Sequence, residues 1–399
     1  MNKEYLCIND KLEYETKGST PKYVENSSVI VLNQKCIRNG IVDYSFSQFI
    51  SEKQNIAAEK YVKVGDVLLN STGQGTAGRC AFVDYVPENY KVTVDSHMLI
   101  LRFENIELAR FFAYSLFNQE SFILELLTGS SGQGELDREI VYNISFPYNG
   151  KNLEIFNKIL IAINNKIKLN NKINKELEKL AKTLYEYWFV QFDFPDENNR
   201  PYKSSGGEMT YNKELKREIP IIFERKELQD FCNIFTGKKD VKMTVENGKY
   251  PFFSCAPDPL KSNDYIFDGN VILVAGNGSY TGRVSYYKGK FDLYQRTYAC
   301  TLKNTDKDLI PFLYYFMKFF FEPQYKGGTH GSAIPYIVIG DLTNLGIPYN
   351  SVITNKFNDI VKPILKAYFK NSEENKRLIQ IRDFLLPMLM NGQISIIAE

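Results

Sequence analysis

The chain repeats itself. At an offset of about 201 residues, Phe146-Pro147-Tyr148-Asn149 falls on Ile347-Pro348-Tyr349-Asn350, and Phe156-Asn157 falls on Phe357-Asn358. "ELARFFAYSLFN" (107–118) falls on "LIPFLYYFMKFF" (309–320). "TGSSGQGELDREIVYNISFPYN" falls on "GGTHGSAIPYIVIGDLTNLGIPYN" once two residues are inserted in the second copy. A period of half the chain is far too long for a solenoid, so each copy must be a domain with its own core plus an appendage. With 399 residues, 44% of them apolar and 14% aromatic, the chain is large enough for such cores.

Both copies run in the same order. A β-rich part comes first, heavy in Val, Ile, Tyr and Phe with Gly and Asn turns. A helix follows at 106–118 (308–321 in the second copy), then a Gly/Ser loop, a strand ending in "FPYN" or "IPYN", and a long charged helix. This predicts an α+β protein: two β-rich domains and two long helices related by a pseudo-two-fold repeat. The expected segments are a domain at 1–150, a helix at 151–194, a connector at 195–220, a second domain at 221–350 and a second helix at 351–399.

The helices carry a heptad pattern with the same interruption. In the first, Phe156, Leu160, Ile163 and Ile167 are followed by Asn170 and Asn174, then Leu177, Ala181, Leu184 and Trp188. In the second, Phe357, Val361, Ile364 and Tyr368 precede Asn371 and Asn375, then Leu378, Arg382, Leu385 and Leu389. Asparagine in a coiled-coil seam sacrifices stability to fix register. Antiparallel packing would set Asn170/Asn174 against Asn371/Asn375; a solvated bend at this point is the competing reading. Eight lysines against three acids on the first helix (Lys151, Lys158, Lys166, Lys168, Lys172, Lys175, Lys179 and Lys182; Glu154, Glu176 and Glu178) make either a solvated face or a docking surface.

Lys plus Arg (49) nearly balance Asp plus Glu (47), so any nucleic-acid footprint must be local. The six cysteines, at 7, 36, 80, 232, 255 and 300, form no C-x-x-C pair, and only His97 and His330 could join them at a metal. Reduced cysteines and no zinc are expected. "MNKEYLCINDKLEY" is too polar for a signal-peptide core. The longest greasy run, 309–321, is interrupted by Lys318 and too short to span a bilayer, so a cytoplasmic protein is expected.

Two glycine loops, "LLNSTGQGTAGRCAFV" (68–83) and "ILVAGNGSYTGRVSYY" (272–287), look at first like phosphate cradles. A Walker loop needs Lys-Ser/Thr after its last glycine, where this chain has Arg79-Cys80 and Arg283-Val284. A dinucleotide loop needs a helix to follow, where this chain has strand-like sequence. Two readings remain: a tight strand–turn–strand with a packed glycine, or a hairpin whose exposed side chains approach nucleic acid.

Between the copies lies "YWFVQFDFP…PYKSSGGEM…LKREIP", in which Trp188, Phe189, Phe192 and Phe194 crowd the helix end before the chain turns polar. This connector resembles the central conserved region of the specificity subunits of type I restriction–modification systems, and "LLPMLMNGQ" (385–393) resembles their C-terminal one. The resemblance covers nearly the whole chain, twice, in the right order. It implies two target-recognition domains held apart by two long antiparallel helices, each domain reading one half of a bipartite DNA site. It also implies that the helices dock two methyltransferase subunits and that restriction subunits complete the nuclease. S-adenosylmethionine, ATP and magnesium would belong to those partners, leaving this chain non-catalytic and without cofactor or metal.

Two rival readings compete. One is a stand-alone nuclease or methyltransferase. The chain contains no Pro-Pro, hence no adenine-methyltransferase motif for a flipped base; Pro195-Asp196 with Glu224-Arg225-Lys226 makes a loose nuclease pattern, its Asp in a polar loop. The other is a two-module scaffold that never meets DNA.

Sequence is read by Arg, Lys, Asn, Gln and Ser at groove edges, while phosphate contacts mainly position. The expected DNA-binding residues are therefore Thr72, Gln74, Arg79, Asn277, Ser279, Tyr280 and Arg283 on the glycine hairpins. Ser130, Ser131, Gln133, Thr329, His330 and Ser332 are expected on the second loops. His97, beside Met98 and Leu99, stays open between a half-buried and a DNA-facing position. A helix of about 36 residues spans about 54 Å, or about 16 base pairs, an upper limit on the distance between half-site centres. Readers on one face of B-DNA want centres roughly 10 base pairs apart, so a gap of roughly 5 to 8 unread positions is expected.

Overall fold

The computed structural model describes residues 4–73, 75–126, 135–148, 150–304, 308–328, 330 and 335–390. The chain divides into two compact units, Met1–Leu169 with Glu374–Glu399, and Asn170–Glu373. Each unit holds one β-rich globule and a stretch of both long helices.

In the first unit, strand Glu4–Leu6 pairs antiparallel with Phe146–Tyr148, tying the start of the globule to the "FPYN" turn. Its central sheet has the order Leu12–Lys17, Met98–Phe103, Val67–Asn70, Cys80–Phe82, all antiparallel. Successive strand residues point to opposite faces, and here both faces are buried. Val67, Leu69, Leu99 and Leu101 join the core under helix Ile106–Asn118, while Leu68, Met98 and Ile100 join a second core with Ile30, Leu32, Val92 and Val94. This is why the strands read as unbroken apolar runs. The helix starts at Asn105, whose side chain accepts from the Leu108 amide at 2.8 Å. Strand Lys91–Val94 lies parallel to Val29–Leu32 in a second four-stranded sheet.

The second unit repeats this plan. Glu224–Glu227 pairs antiparallel with Gly346–Tyr349. Cys232–Thr236, Thr297–Leu302, Phe267–Ala275 and Val284–Leu293 stand in the same order as their counterparts. Where the first unit breaks between Cys80–Phe82 and Lys91–Val94, the second runs one 10-residue strand, whose end lies parallel to Tyr250–Phe253. The offset of about 201 therefore fails upstream of Met98. Between Leu32 and Val67 the first unit inserts the hairpin Ile37–Arg38/Ile41–Val42 and the strand Gln48–Ile50; the second passes from Phe253 to Val271 with one short strand, Leu260–Ser262.

The first long helix is Gly150–Tyr185, ending in a π turn at Glu186–Val190; the second is Ser351–Met390. Each is fastened to the helix before it by an equivalent asparagine. Asn157 Nδ2 donates to Leu153 O at 2.9 Å and Glu107 O at 3.4 Å; Asn358 Nδ2 donates to Asp308 O at 2.9 Å, and its Oδ1 accepts from the Phe312 amide. Within the second unit, Asn371 Nδ2 donates to Asn174 Oδ1 at 2.9 Å, and the Trp188 and Phe189 rings lie 5.8 and 5.0 Å from Phe357. Those contacts run the two helices antiparallel. Within the first unit, Lys166 pairs with Glu374 at 3.3 Å and Leu386 joins Phe156 and Leu160 in one core, again antiparallel. Among the described residues, no helix is long and apolar enough to cross a membrane.

Candidate nucleic-acid interface

The two glycine loops are built on one hydrogen-bond frame. In the first unit, Asn70 N donates to Arg79 O at 2.9 Å and Gly78 N to Asn70 O at 2.9 Å. In the second, Ala275 N donates to Arg283 O at 3.0 Å and Gly282 N to Ala275 O at 2.8 Å. Gly78 and Gly282 both have φ of +82°, a conformation that favours glycine. They are also crowded: an added Cβ would lie 2.8 Å from Ile123 Cγ2 and 2.5 Å from Tyr325 O, respectively. Both loops are strand–turn–strand hairpins with a packed glycine, and no helix follows either.

Each hairpin is flanked by the same two neighbours. The turn before strand Met98–Phe103 or Thr297–Leu302 meets it through Ser71 N to His97 O (2.8 Å) and Gly276 N to Arg296 O (2.9 Å). The segment after the Gly/Ser loop meets it through Leu136 N to Ser71 O (2.8 Å) and Ile337 N to Gly276 O (3.0 Å). Thr72 bridges Glu135, and Asn277 bridges Tyr336, which bridges His330. The hairpin and the second-loop region, far apart in sequence, thus share one end of each unit.

The side chains on this frame differ between units. Thr72 Oγ1 and His97 Nδ1 lie 2.7 Å apart, and Gln34 Nε2 reaches both the carbonyl and the hydroxyl of Thr72. His97 is exposed, and Asp95 Oδ1 accepts from its amide at 2.9 Å. Burial raises the Asp95 pKa above the usual carboxylate value, with this amide bond working in the opposite direction. Beside the first hairpin, Tyr23, Asn33, Gln34, Lys35, Phe46 and Gln48 line an open hollow. In the second unit, Cys255 Sγ donates to Asn277 Oδ1 at 3.2 Å, where Gln34 stands in the first. Ser279 and Tyr280 are exposed at the hairpin tip; His330 is exposed and stacks on Tyr336 with centroids 5.3 Å apart.

The hairpin arginines have protein partners. Arg79 Nε pairs with Glu120 at 3.3 Å, leaving 33% of its side chain exposed. Arg283 Nη2 donates to Cys255 O at 3.3 Å and Ala256 O at 2.7 Å, and burial lowers its pKa. Gln74, Ser130, Ser131, Gln133, Thr329 and Ser332 lie outside the described residues. Sequence reasoning passed over Gln34 and Arg296, which become visible only when the two units are matched strand by strand.

At the helix seam, Asn174 and Asn371 meet, and Asn174 Nδ2 also donates to Tyr368 O and Ser372 Oγ, both at 3.2 Å. Asn170 and Asn375 are buried. Arg382 is buried in the first unit, donating to Asn39 O at 3.1 Å with its guanidinium over the Phe117 ring.

The residues of the loose nuclease pattern have local tasks. Asp196 Oδ1 accepts from the Asn198 and Arg200 amides, both at 2.8 Å, and these bonds, the Arg200 one first, lower its pKa. Glu224 pairs with Lys226 on a strand. Among the described residues, no group of three or more His, Cys, Asp or Glu is placed to hold a metal ion. All six cysteines are free thiols.

Comparison with known proteins agrees with this architecture. A family described as "Type I restriction modification DNA specificity domain" matches residues 220–381. The chain is 30% identical over 185 residues to the EcoDI type I restriction enzyme specificity subunit of Escherichia coli, covering 45% of this chain and 40% of that protein. It is 24% identical over 322 residues to the MjaIX specificity subunit of Methanocaldococcus jannaschii, covering 71% of this chain and 69% of that one. In fold it is similar to the S subunit of a type I restriction–modification system from M. genitalium, with a TM-score of 0.54 over 98% of this chain and 96% of that one at 16% identity. The duplicated globules, the antiparallel helices and the aromatic connector thus occur in a chain that is similar in sequence to type I restriction–modification specificity subunits and similar in fold to a solved S subunit.

Proposed function

We propose that this chain is the DNA-reading, non-catalytic subunit of a type I restriction–modification complex, each unit recognising one half of a bipartite site. One observation carries the reading: the same hairpin platform occurs twice, held by matching backbone bonds but carrying different polar side chains. Base edges are distinguished by donor and acceptor pattern, so two frames with different donors read two different half-sites. Thr72, Arg79, Asn277, Ser279, Tyr280 and His330 are the described residues we assign to contact with DNA. Arg283 is assigned to holding its hairpin. Gln74 of the first glycine loop, Ser130, Ser131 and Gln133 of the first copy's Gly/Ser loop and Thr329 and Ser332 of the second copy's are likewise assigned to DNA contact, from their places in the sequence. The buried asparagines at the seam fix helix register, and the long helices dock two methyltransferase subunits, to which restriction subunits are added.

Purified alone, the chain is expected neither to methylate nor to cut DNA. Mixed with its methyltransferase subunit, it is expected to direct adenine methylation to a split site. Robust methyl transfer by the contaminant-free chain would show that it is an enzyme, and an assembled complex without sequence preference would show that it is not the reader.

The arginines give a graded expectation. Arg79→Ala should weaken DNA binding of the assembled complex and lower the slope of log affinity against log salt by about one if it meets a phosphate. Arg283→Ala removes two hydrogen bonds from a charged donor and should cost about 1–3 kcal/mol in stability, measured by urea unfolding, with the methylated sequence unchanged. A methylated sequence altered by Arg283→Ala would give that residue a base instead.

A further inference from the structure

The position held by His97 in the first unit and Arg296 in the second is the strongest unassigned feature of the two platforms. Four backbone hydrogen bonds establish the equivalence. Asp95 N donates to Leu32 O at 2.9 Å where Tyr294 N donates to Phe253 O at 3.0 Å, and Met98 N donates to Asp95 O at 3.2 Å where Thr297 N donates to Tyr294 O at 3.0 Å. The carbonyls of His97 and Arg296 then receive the first amide of each hairpin. The approach is close: a Cβ on Gly276 would lie 2.3 Å from Arg296 O, so the arginine is tied to the hairpin base by its own backbone.

The second unit contains five arginines. Arg200 pairs with Asp196, Arg217 donates to Phe189 O, Arg225 pairs with Glu214 and Glu227, and Arg283 donates to two carbonyls. Arg296 is exposed, and among the described residues its guanidinium has no hydrogen-bond or ion-pair partner. A guanidinium left unpaired where the unit's other four arginines are committed, with its backbone pinned beside Asn277, is a donor fork held ready for an acceptor. The acceptor pair that an arginine fork matches on duplex DNA is guanine O6 and N7 in the major groove.

We infer that Arg296 is a specificity-determining residue that reads a guanine in the half-site of the second unit. His97 fills the equivalent place in the first unit with a different chemistry. Its Nδ1 is paired with the Thr72 hydroxyl, which leaves Nε2 as the remaining polar atom of an exposed ring. One frame thus presents two donors in a plane and the other a single ring nitrogen, so the two half-sites differ at this position. The inference rests on the DNA-reading function proposed above.

The test uses the full complex with its methyltransferase subunits, reading out methylated sequences on genomic DNA and binding to a duplex library randomised over the site. Arg296→Ala is expected to relax one G·C position in one half-site, with roughly ten- to hundredfold loss of discrimination there. Every position of the other half-site should stay as in the parent. Arg296→Lys, which keeps the charge but loses the planar fork, should relax the same position while retaining the salt slope. It also serves if the alanine variant fails to assemble. A motif unchanged in Arg296→Lys would overturn the inference, as would a parent half-site with no G·C pair. So would an alanine variant whose only change is a salt slope lower by about one, the mark of a phosphate contact. A parent complex that methylates no split site would instead defeat the underlying function, so the two failures are distinguishable.

Discussion

Phe357→Ala is expected to destabilise the second unit by about 3–5 kcal/mol, the usual cost of deleting a fully buried ring and leaving its cavity. Phe357 is 0% exposed and sits where four elements converge. It lies on the second long helix, and its ring centroid is 5.0 Å from Phe189, 5.8 Å from Trp188 and 6.3 Å from Phe312. The same core takes in Phe192, Phe194 and Phe223 from the connector and Leu313 and Phe316 from the preceding helix. Removing one ring therefore loosens the end of the first helix, the start of the second and the connector together. Phe384, 67% exposed on the same helix, supplies the comparison: its replacement by alanine should stay within about 0.5 kcal/mol. Urea unfolding of both variants checks this. Equal midpoints would mean that the aromatic connector does not hold the helix ends.

The parts of this architecture that the sequence discloses are those with a strong period or a rigid chemical demand. The heptads of the long helices, the asparagine interruption and the "FPYN"/"IPYN" strand ends all declare themselves because each imposes residue types at fixed spacing. Phe156-Asn157 and Phe357-Asn358 align for a physical reason: each asparagine satisfies backbone groups of the helix before it, and each phenylalanine is buried. The glycine loops declared a turn but not its task. Gly78 and Gly282 are fixed by packing against Ile123 and Tyr325, neighbours that no local pattern announces.

The platform residues were harder to see because their grouping depends on pairings across the chain. Gln34 reaches Thr72, and Arg296 receives the amide of Gly276, only after the sheet is assembled. The extra hairpin between Leu32 and Val67 displaced the upstream offset and hid the equivalence of Gln34 with Cys255. Arg79 and Arg283 both stand beside a turn glycine, yet Arg79 pairs with Glu120 through Nε alone and keeps a third of its side chain exposed, while Arg283 Nη2 is taken by two main-chain carbonyls. An arginine's sequence neighbourhood says little about whether its donors are free, because its long side chain chooses partners by proximity in the fold.

The second large effect concerns recognition itself. Each globule has its own sheet, its own cores and its own hairpin platform. Exchanging residues 1–150 for the corresponding segment of a relative should therefore change one half of the recognised sequence completely and leave the other half as it was. Exchanging 221–350 should do the reverse. Each specific base pair lost typically costs about 1–3 kcal/mol, so a replaced half-site of several positions should abolish methylation at the parent sequence. The deciding measurement is genome-wide methylation mapping in a strain expressing each exchange with the same methyltransferase partner. Two independent readers predict complementary motifs, each sharing one half with the parent and differing throughout the other. Altered bases in both halves after a single exchange, or the parent motif surviving both exchanges, would contradict the account.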